Sequence, residues 1–139
     1  MTGSEIGAEA GGPGDPRLPP TWGESPRRLV VGLSGSSAPQ LGIRFLEALR
    51  DRPDVETHLV MSEGARRSIQ LETDVLPEHV AKLAHRSYDP GDLAAPISSG
   101  SFMTTGMVVI PCSMRSLAAI ATGNTSDLLT RAADVTLKE

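Results

Sequence analysis

The span RLVVGLSGSSAPQLGIRFLEALR, residues 28–50, limits the possible folds more than any other stretch of the chain. Leu29, Val30 and Val31 lead through Gly32 into Leu33. Such a continuous apolar run suits a strand covered on both faces, as strands of parallel sheets are. A loop of glycine and serine follows. Gln40–Arg50 then sets Leu41, Phe45, Leu46 and Leu49 at the spacing of a helix with one buried stripe. After a break at Pro53-Asp54, VETHLVM over 55–61 reads as a second strand. Strand, helix, strand in that order predicts a right-handed crossover and parallel pairing.

The same patterning continues to the end of the chain. Residues 63–71 read as helix, 75–84 as a further short element and 87–105 as loop, rich in Gly, Pro, Ser and Asp. MVVI at 107–110 is a third strand, stopped by Pro111. Helices are predicted over 116–121, closed by Gly123, and over 126–138, capped by Ser126 or Thr125. Together these elements predict a three-layer α/β domain over residues 28–139. Residues 1–27 are rich in glycine and proline with almost no apolar periodicity, and are expected to be a disordered tail. Trp22 within it is read as idle or locally docked.

Composition excludes several function classes. A net charge of −4 and 3% aromatic residues give neither a basic field nor stacking platforms for nucleic acid. One cysteine, Cys112, allows no intramolecular disulfide and no multi-cysteine metal site, which fits a reducing cytoplasm. No secretory signal pattern opens the chain and no 18-residue apolar run follows, so a cytoplasmic protein without a membrane segment is expected. His58, His79 and His85 lack metal-ligand spacing and are read as structural or exposed. Cys112 is read as a small packed residue in preference to a reactive thiol.

Three places could carry chemistry. Gly35, Ser36 and Ser37 lie where a buried strand enters a helix, so free backbone N–H groups and the positive helix end suit a phosphate. Neither a G-x-G-x-x-G fingerprint nor a P-loop is present, and an ordinary tight connection stays open. IPCSMRS brings Cys112, Ser113, Met114, Arg115 and Ser116 to the end of the third strand. Ser62 ends the second. Ligands of open parallel sheets lie outside the carboxyl ends of the strands, so the three serine-bearing ends could share one crevice. Arg131 and Lys138, seven residues apart, fall on one helix face and could hold anions, although a solvated surface is the commoner meaning. Glu72 and Asp74 in LETD are candidate acids or bases that more often serve as solvated or capping groups.

The segments GLSGSSAPQLGIRFLEAL, HLVMSEGAR, LETD, SSGSFMTTGMVVIPCSMRSLAAIATG and DLLTRAADVTLKE together resemble the UbiX-type flavin prenyltransferases. These include small proteins once described as components of phenolic acid decarboxylases. The resemblance covers residues 28–139. It implies a flavodoxin-like or Rossmann-like parallel sheet with helices on both faces, a homo-oligomer that is often a dodecamer, FMN, and no metal. It implies transfer of a dimethylallyl group from dimethylallyl phosphate to N5 and C6 of reduced FMN, giving the prenylated FMN that UbiD-type decarboxylases require. Carried over residue by residue, it implies that Gly35, Ser36, Ser37, Ser62, Ser113, Met114, Arg115, Ser116 and Arg131 contact FMN, with Ser99, Gly100 and Ser101 near the flavin. Ser37, Glu72 and Lys138 would form the catalytic set. Lys138 would bind the prenyl phosphate, Ser37 would hydrogen-bond near it and relay protons, and Glu72 would sit by the reacting flavin.

Departures from the family pattern leave alternatives open. Ala38 stands where the family commonly has glycine and is followed by Pro39, which could move the helix start. Leu93 stands where an aromatic residue is frequent. Family members continue beyond the Lys-Glu at 138–139 into a further strand, a Pro-Arg-Glu segment and a tail with Tyr and Arg, so this stretch is expected to lack that strand and the final helix. The alternative is therefore an FMN-binding module or an inactive fragment. A flavin-dependent cysteine decarboxylase of the wider superfamily is the third option. Those enzymes use a histidine near the first helix and a Pro-Ala-Ser/Met-Asn motif, where this chain has no histidine and PCSMRS.

Overall fold

Strand β1 (Arg27–Leu33) is buried over its last four residues and lies between two neighbours. These are β2 (Val55–Met61) on one side and β4 (Gly106–Val109) on the other, with β3 (Arg86–Tyr88) outside β2. The order is β3-β2-β1-β4 and every pairing is parallel. This computed structural model describes residues 26–139. The expected disordered tail, but for its last two residues, and Trp22 lie outside the described residues. Arg27, assigned to that tail, instead opens β1, its N–H donating to the Asp54 carbonyl at 2.9 Å.

Helices cover both faces of the sheet, as expected. On one face, α1 (Gln40–Arg50), α2 (Glu63–Glu72) and α3 (Pro77–Ala81) contribute Leu46, Ala65, Ile69 and Val80 to a core with Val31, Leu33, Leu59 and Met61. On the other face, α5 (Leu128–Lys138) lays Leu128, Leu129 and Ala132 against Val30 and Val60. Ala95 and Ile97 close that core. The alternation along β1 thus feeds two cores, which is why its apolar run is unbroken. α4 (Met114–Thr122) rests on the surface with no fully buried residue.

Several boundaries differ from the sequence expectation. β3 forms across the start of the expected loop, paired through His58↔Arg86, Leu59↔Ser87 and Val60↔Tyr88. Backbone pairing with β2 makes this strand, since its side chains have no apolar run. β4 runs one residue earlier than MVVI. α4 starts at Met114, two residues before the expected position, because Ser113 Oγ accepts the Ser116 N–H at 3.1 Å. α5 is capped by Asp127, not Ser126 or Thr125. The Asp127 carboxylate accepts the Thr130 N–H at 2.9 Å, and Thr130 Oγ1 accepts the Asp127 N–H in return at 3.4 Å.

Pro39 takes the position before α1, and the helix starts at Gln40. The strain falls on Ala38, whose φ of 65° lies in the left-handed region. An alanine there costs about 1 kcal/mol relative to glycine. Part of that gain is offset by the greater chain entropy of glycine in the unfolded state. Ala38→Gly is expected to raise stability by about 0.5 kcal/mol in urea denaturation; a drop would show that this backbone is unstrained.

A polar cluster sits in the second core. His58 is buried, with Nε2 2.7 Å from Glu56 Oε1 and Nδ1 2.8 Å from the Tyr88 hydroxyl. Phe102 packs edge-on against its ring, and the Arg28 guanidinium lies 4.2 Å over Phe102. Burial holds the His58 imidazole below its ordinary value, against the pull of Glu56. The His58 hydrogen bond in turn lowers the Glu56 carboxyl. As pH falls, the unfolded chain protonates its histidine first, so stability is lost below the unfolded value of about 6.5. Glu56 adds a loss in the same direction in more acid solution. The thermal midpoint is expected to fall from pH 7 to pH 5, and His58→Gln to flatten that slope; an unchanged slope would contradict a neutral buried His58.

Candidate functional site

Just outside the carboxyl ends of the strands is a crevice of about 500 Å³. Gly35 lines it from the β1–α1 loop, Ser62, Glu63 and Gly64 from the start of α2, and Asp89, Pro90 and Gly91 from the segment after β3. Ser113, Arg115 and Ser116 come from the start of α4, and Ser126, Asp127 and Thr130 from the start of α5. Chain connections leave β1 toward β2 on one side and reach β4 on the other, so this is the switch point of the sheet.

Three helix N-termini therefore meet in one place. Each brings first-turn N–H groups without intrahelical partners and a partial positive charge, and Arg115 adds a full one. Ser62 caps α2 by accepting the Ala65 N–H at 3.1 Å. Ser113 caps α4 and donates its own proton to Ser116 Oγ at 3.1 Å. Of the acidic residues, Asp127 is held by Thr130, and Asp89 accepts the Gly91 N–H at 2.7 Å. Glu63, the third acidic residue of the lining, sits in the first turn of α2; against these carboxylates stand three helix N-termini and Arg115, which favour an anion.

Backbone contact sets the shape. A Cβ on Gly35 would stand 2.8 Å from the Gly64 carbonyl carbon, so the β1–α1 loop and the start of α2 touch main chain to main chain. Ser34, which the sequence reading did not single out, is fully buried. Its Oγ accepts the Ser113 N–H at 2.7 Å and donates to the Pro111 carbonyl at 3.2 Å. A polar residue directly after an apolar strand was the available signal; its partners, 77 and 79 residues away, were not.

Of the residues singled out from sequence, Gly35, Ser62, Ser113, Arg115 and Ser116 line the crevice. Ser36 and Ser37 are on the adjoining loop, with the Ser36 N–H donating to the Ser34 carbonyl at 2.8 Å. Met114 is exposed beside it. Arg131 is exposed and follows Thr130 on α5. Glu72 and Asp74 are exposed; the Glu72 carbonyl accepts from Gln40 Nε2 at 3.3 Å, which sets the end of α2 against the start of α1.

Other residues are not gathered there. Ser99 and Gly100 line a second cavity of about 300 Å³, with Phe102, Thr105, Gly106, Val135 and Glu139. They follow a 3-10 turn over Pro96–Ser98 that packs on α5, which holds them away from the strand ends. Ser101 Oγ is 2.8 Å from Ser99 Oγ. Lys138 pairs with Asp134 at 2.9 Å, at the opposite end of α5 from Thr130. His85 is structural, its Nδ1 accepting the Thr57 N–H at 3.0 Å, His79 is exposed, and Cys112 is half-buried. Among the described residues no group of three or more His, Cys, Asp or Glu side chains could hold a metal ion, and no helix is long and apolar enough to cross a membrane.

The chain is similar to proteins of known kind. The flavin prenyltransferase UbiX of Escherichia coli (strain K12) is 54% identical over 113 residues, covering 81% of this chain and 60% of that protein. A crystal structure of AnUbiX (PadA1) in complex with FMN and dimethylallyl pyrophosphate superimposes with a TM-score of 0.80 at 52% identity, covering 83% of this chain and 61% of that one. A dodecameric FMN-dependent UbiX-like decarboxylase from Escherichia coli O157:H7 matches with a TM-score of 0.79 at 54% identity, over 81% of this chain and 61% of that one. The chain thus spans about 60% of the length of the curated relative. The family model for flavoproteins matches residues 20–139, and the chain belongs to that family.

Proposed function

We propose that the carboxyl-end crevice binds FMN and that the protein is a flavin prenyltransferase, which joins the dimethylallyl group of dimethylallyl phosphate to reduced FMN. The observation that carries the reading is the meeting of three helix N-termini and Arg115 in one crevice. Such a site concentrates backbone donors and positive potential where a phosphate monoester needs them. Its volume of about 500 Å³ falls within the usual range for small-molecule sites. The relatives supply the identity of the ligand: one binds FMN with a dimethylallyl diphosphate, and another is FMN-dependent.

In this reading Gly35, Ser36, Ser37, Ser62 and Ser113–Ser116 hold the flavin nucleotide, and Arg131 adds a cation from α5. Ser99 and Gly100 line the second cavity in this fold, with Ser101 beside them, and only the resemblance assigns these three residues to the flavin. Reduced FMN supplies the nucleophilic N5 and C6 positions. The allylic C–O bond breaks and inorganic phosphate leaves, so fixed positive charge must meet the departing oxygen. The resemblance gives that role to Lys138, which in this fold pairs with Asp134 at the far end of α5 from the crevice. Ser37, at the start of α1, donates to the same phosphate, and Glu72, held near that helix start through Gln40, takes up a proton. The product serves a UbiD-type decarboxylase in the cytoplasm, and the protein assembles as a homo-oligomer like its dodecameric relative.

Anaerobic incubation with reduced FMN and dimethylallyl phosphate should give flavin with the mass of one added dimethylallyl unit. FMN fluorescence should be quenched in a saturable way, and Arg131→Ala should weaken binding about tenfold. Saturable binding with no mass gain supports the second reading, an FMN-binding module. No binding by the folded chain would sink both.

A further inference from the structure

We infer that Ser34 is a positioning residue: its buried hydroxyl ties the β1–α1 loop to the β4–α4 turn and so aims the N-terminus of α4 into the crevice. The ligand in this inference rests on the FMN reading; the tie does not. A serine hydroxyl has one proton and two lone pairs. Here the proton goes to the Pro111 carbonyl at 3.2 Å and a lone pair takes the Ser113 N–H at 2.7 Å. With its only proton committed and 1% of its surface exposed, Ser34 does not touch a ligand, unlike the serines around it.

The tie continues the sheet where the strands end. β1 and β4 pair as far as Gly32↔Val109, the Ile110 N–H still reaches the Gly32 carbonyl at 2.8 Å, and the Ser34 N–H reaches the Pro111 carbonyl at 3.1 Å. Beyond that point the Ser34 hydroxyl alone reaches Ser113. Its bond decides which donors of α4 remain for a ligand. The Ser113 amide is held by Ser34 and the Ser116 amide by Ser113 Oγ at 3.1 Å. The amides of Met114 and Arg115 are what the first turn has left to offer an anion. Without the hydroxyl, a part-buried N–H loses its acceptor and the turn must rotate toward water, which takes those two amides out of aim.

FMN titration of the full chain, with amide hydrogen exchange read at Ser113, tests this on Ser34→Ala and Ser34→Thr. Ser34→Ala should raise the FMN Kd about tenfold and speed exchange at Ser113, while Ser34→Thr, which keeps the hydroxyl, should stay within about twofold. A lowered thermal midpoint with unchanged Kd would reduce Ser34 to a packing residue and overturn the inference. If the wild-type chain does not bind FMN, that reading fails on its own. The tie is then judged by exchange: protection of Ser113 in wild type and Ser34→Thr but not in Ser34→Ala supports it, and equal exchange in all three overturns it. Should Ser34→Ala not fold, Ser34→Cys keeps the volume and weakens both bonds, and carries the same expectation.

Discussion

Gly42→Val is expected to destabilise the protein by about 3 kcal/mol or more, with Gly42→Ala near 2 kcal/mol. Gly42 is buried on the underside of the first turn of α1. A Cβ there would run into the Ile110 carbonyl oxygen and approach the Leu33 side chain at 2.8 Å. Neither neighbour can give way. Ile110 is held by its N–H bond to Gly32, and Leu33 is fully buried. Alanine is otherwise the better helix residue by about 1 kcal/mol, which offsets part of the clash; the β-branched valine lacks that compensation. Urea unfolding with an unchanged m-value reads the loss. A midpoint equal to or above wild type in Gly42→Ala would mean that α1 does not rest on the end of β4, and the loop that α1 anchors would need another origin.

The same contact shows what a sequence can and cannot disclose. β1 and β2 are legible because they are covered on both faces, so burial writes a continuous apolar run into the chain; VETHLVM matches β2 residue for residue. α1 is legible through its stripe, although Leu41 is exposed and Gly42 and Ile43, outside the expected stripe, face the core. β3 is not, because Arg86–Tyr88 owes its conformation to pairing with β2 and leaves no apolar pattern. Helix starts are ambiguous where cap residues crowd together: Thr125, Ser126 and Asp127 can all cap, and only the fold selects Asp127. In the site, serine at three strand ends was readable because parallel strands bring their carboxyl ends to one edge. Ser34 and the pocket residues Asp89 and Thr130 were not, since their contacts depend on segments far apart in the chain. Ser99 and Gly100 came from resemblance alone, and the fold puts them at the second cavity.

Gly35→Ala is expected to weaken FMN binding about a hundredfold, the largest effect on the site of any substitution considered. The added methyl would stand 2.8 and 2.9 Å from the carbonyl carbon and Cα of Gly64, and both are main-chain atoms that no rotamer change can move. The β1–α1 loop and the start of α2 must part by on the order of 1 Å, and an error of that size at a binding centre can cost a hundredfold. The base of each loop cannot absorb the shift. Ser34 is tied to Pro111 and Ser113, and the Ser62 N–H is fixed to the Leu33 carbonyl at 2.9 Å. The displacement therefore falls on Gly35–Ser37 and the first turn of α2, the donors facing the crevice. Gly64→Ala provides the graded comparison: its Cβ would meet Gly35 Cα at 3.2 Å and little else, so binding should weaken about tenfold or less. Isothermal titration with FMN, beside thermal midpoints to confirm folding, separates the two. Wild-type affinity in folded Gly35→Ala would mean that the flavin nucleotide is not held between these loops, and would leave the N-termini of α4 and α5 to hold it alone.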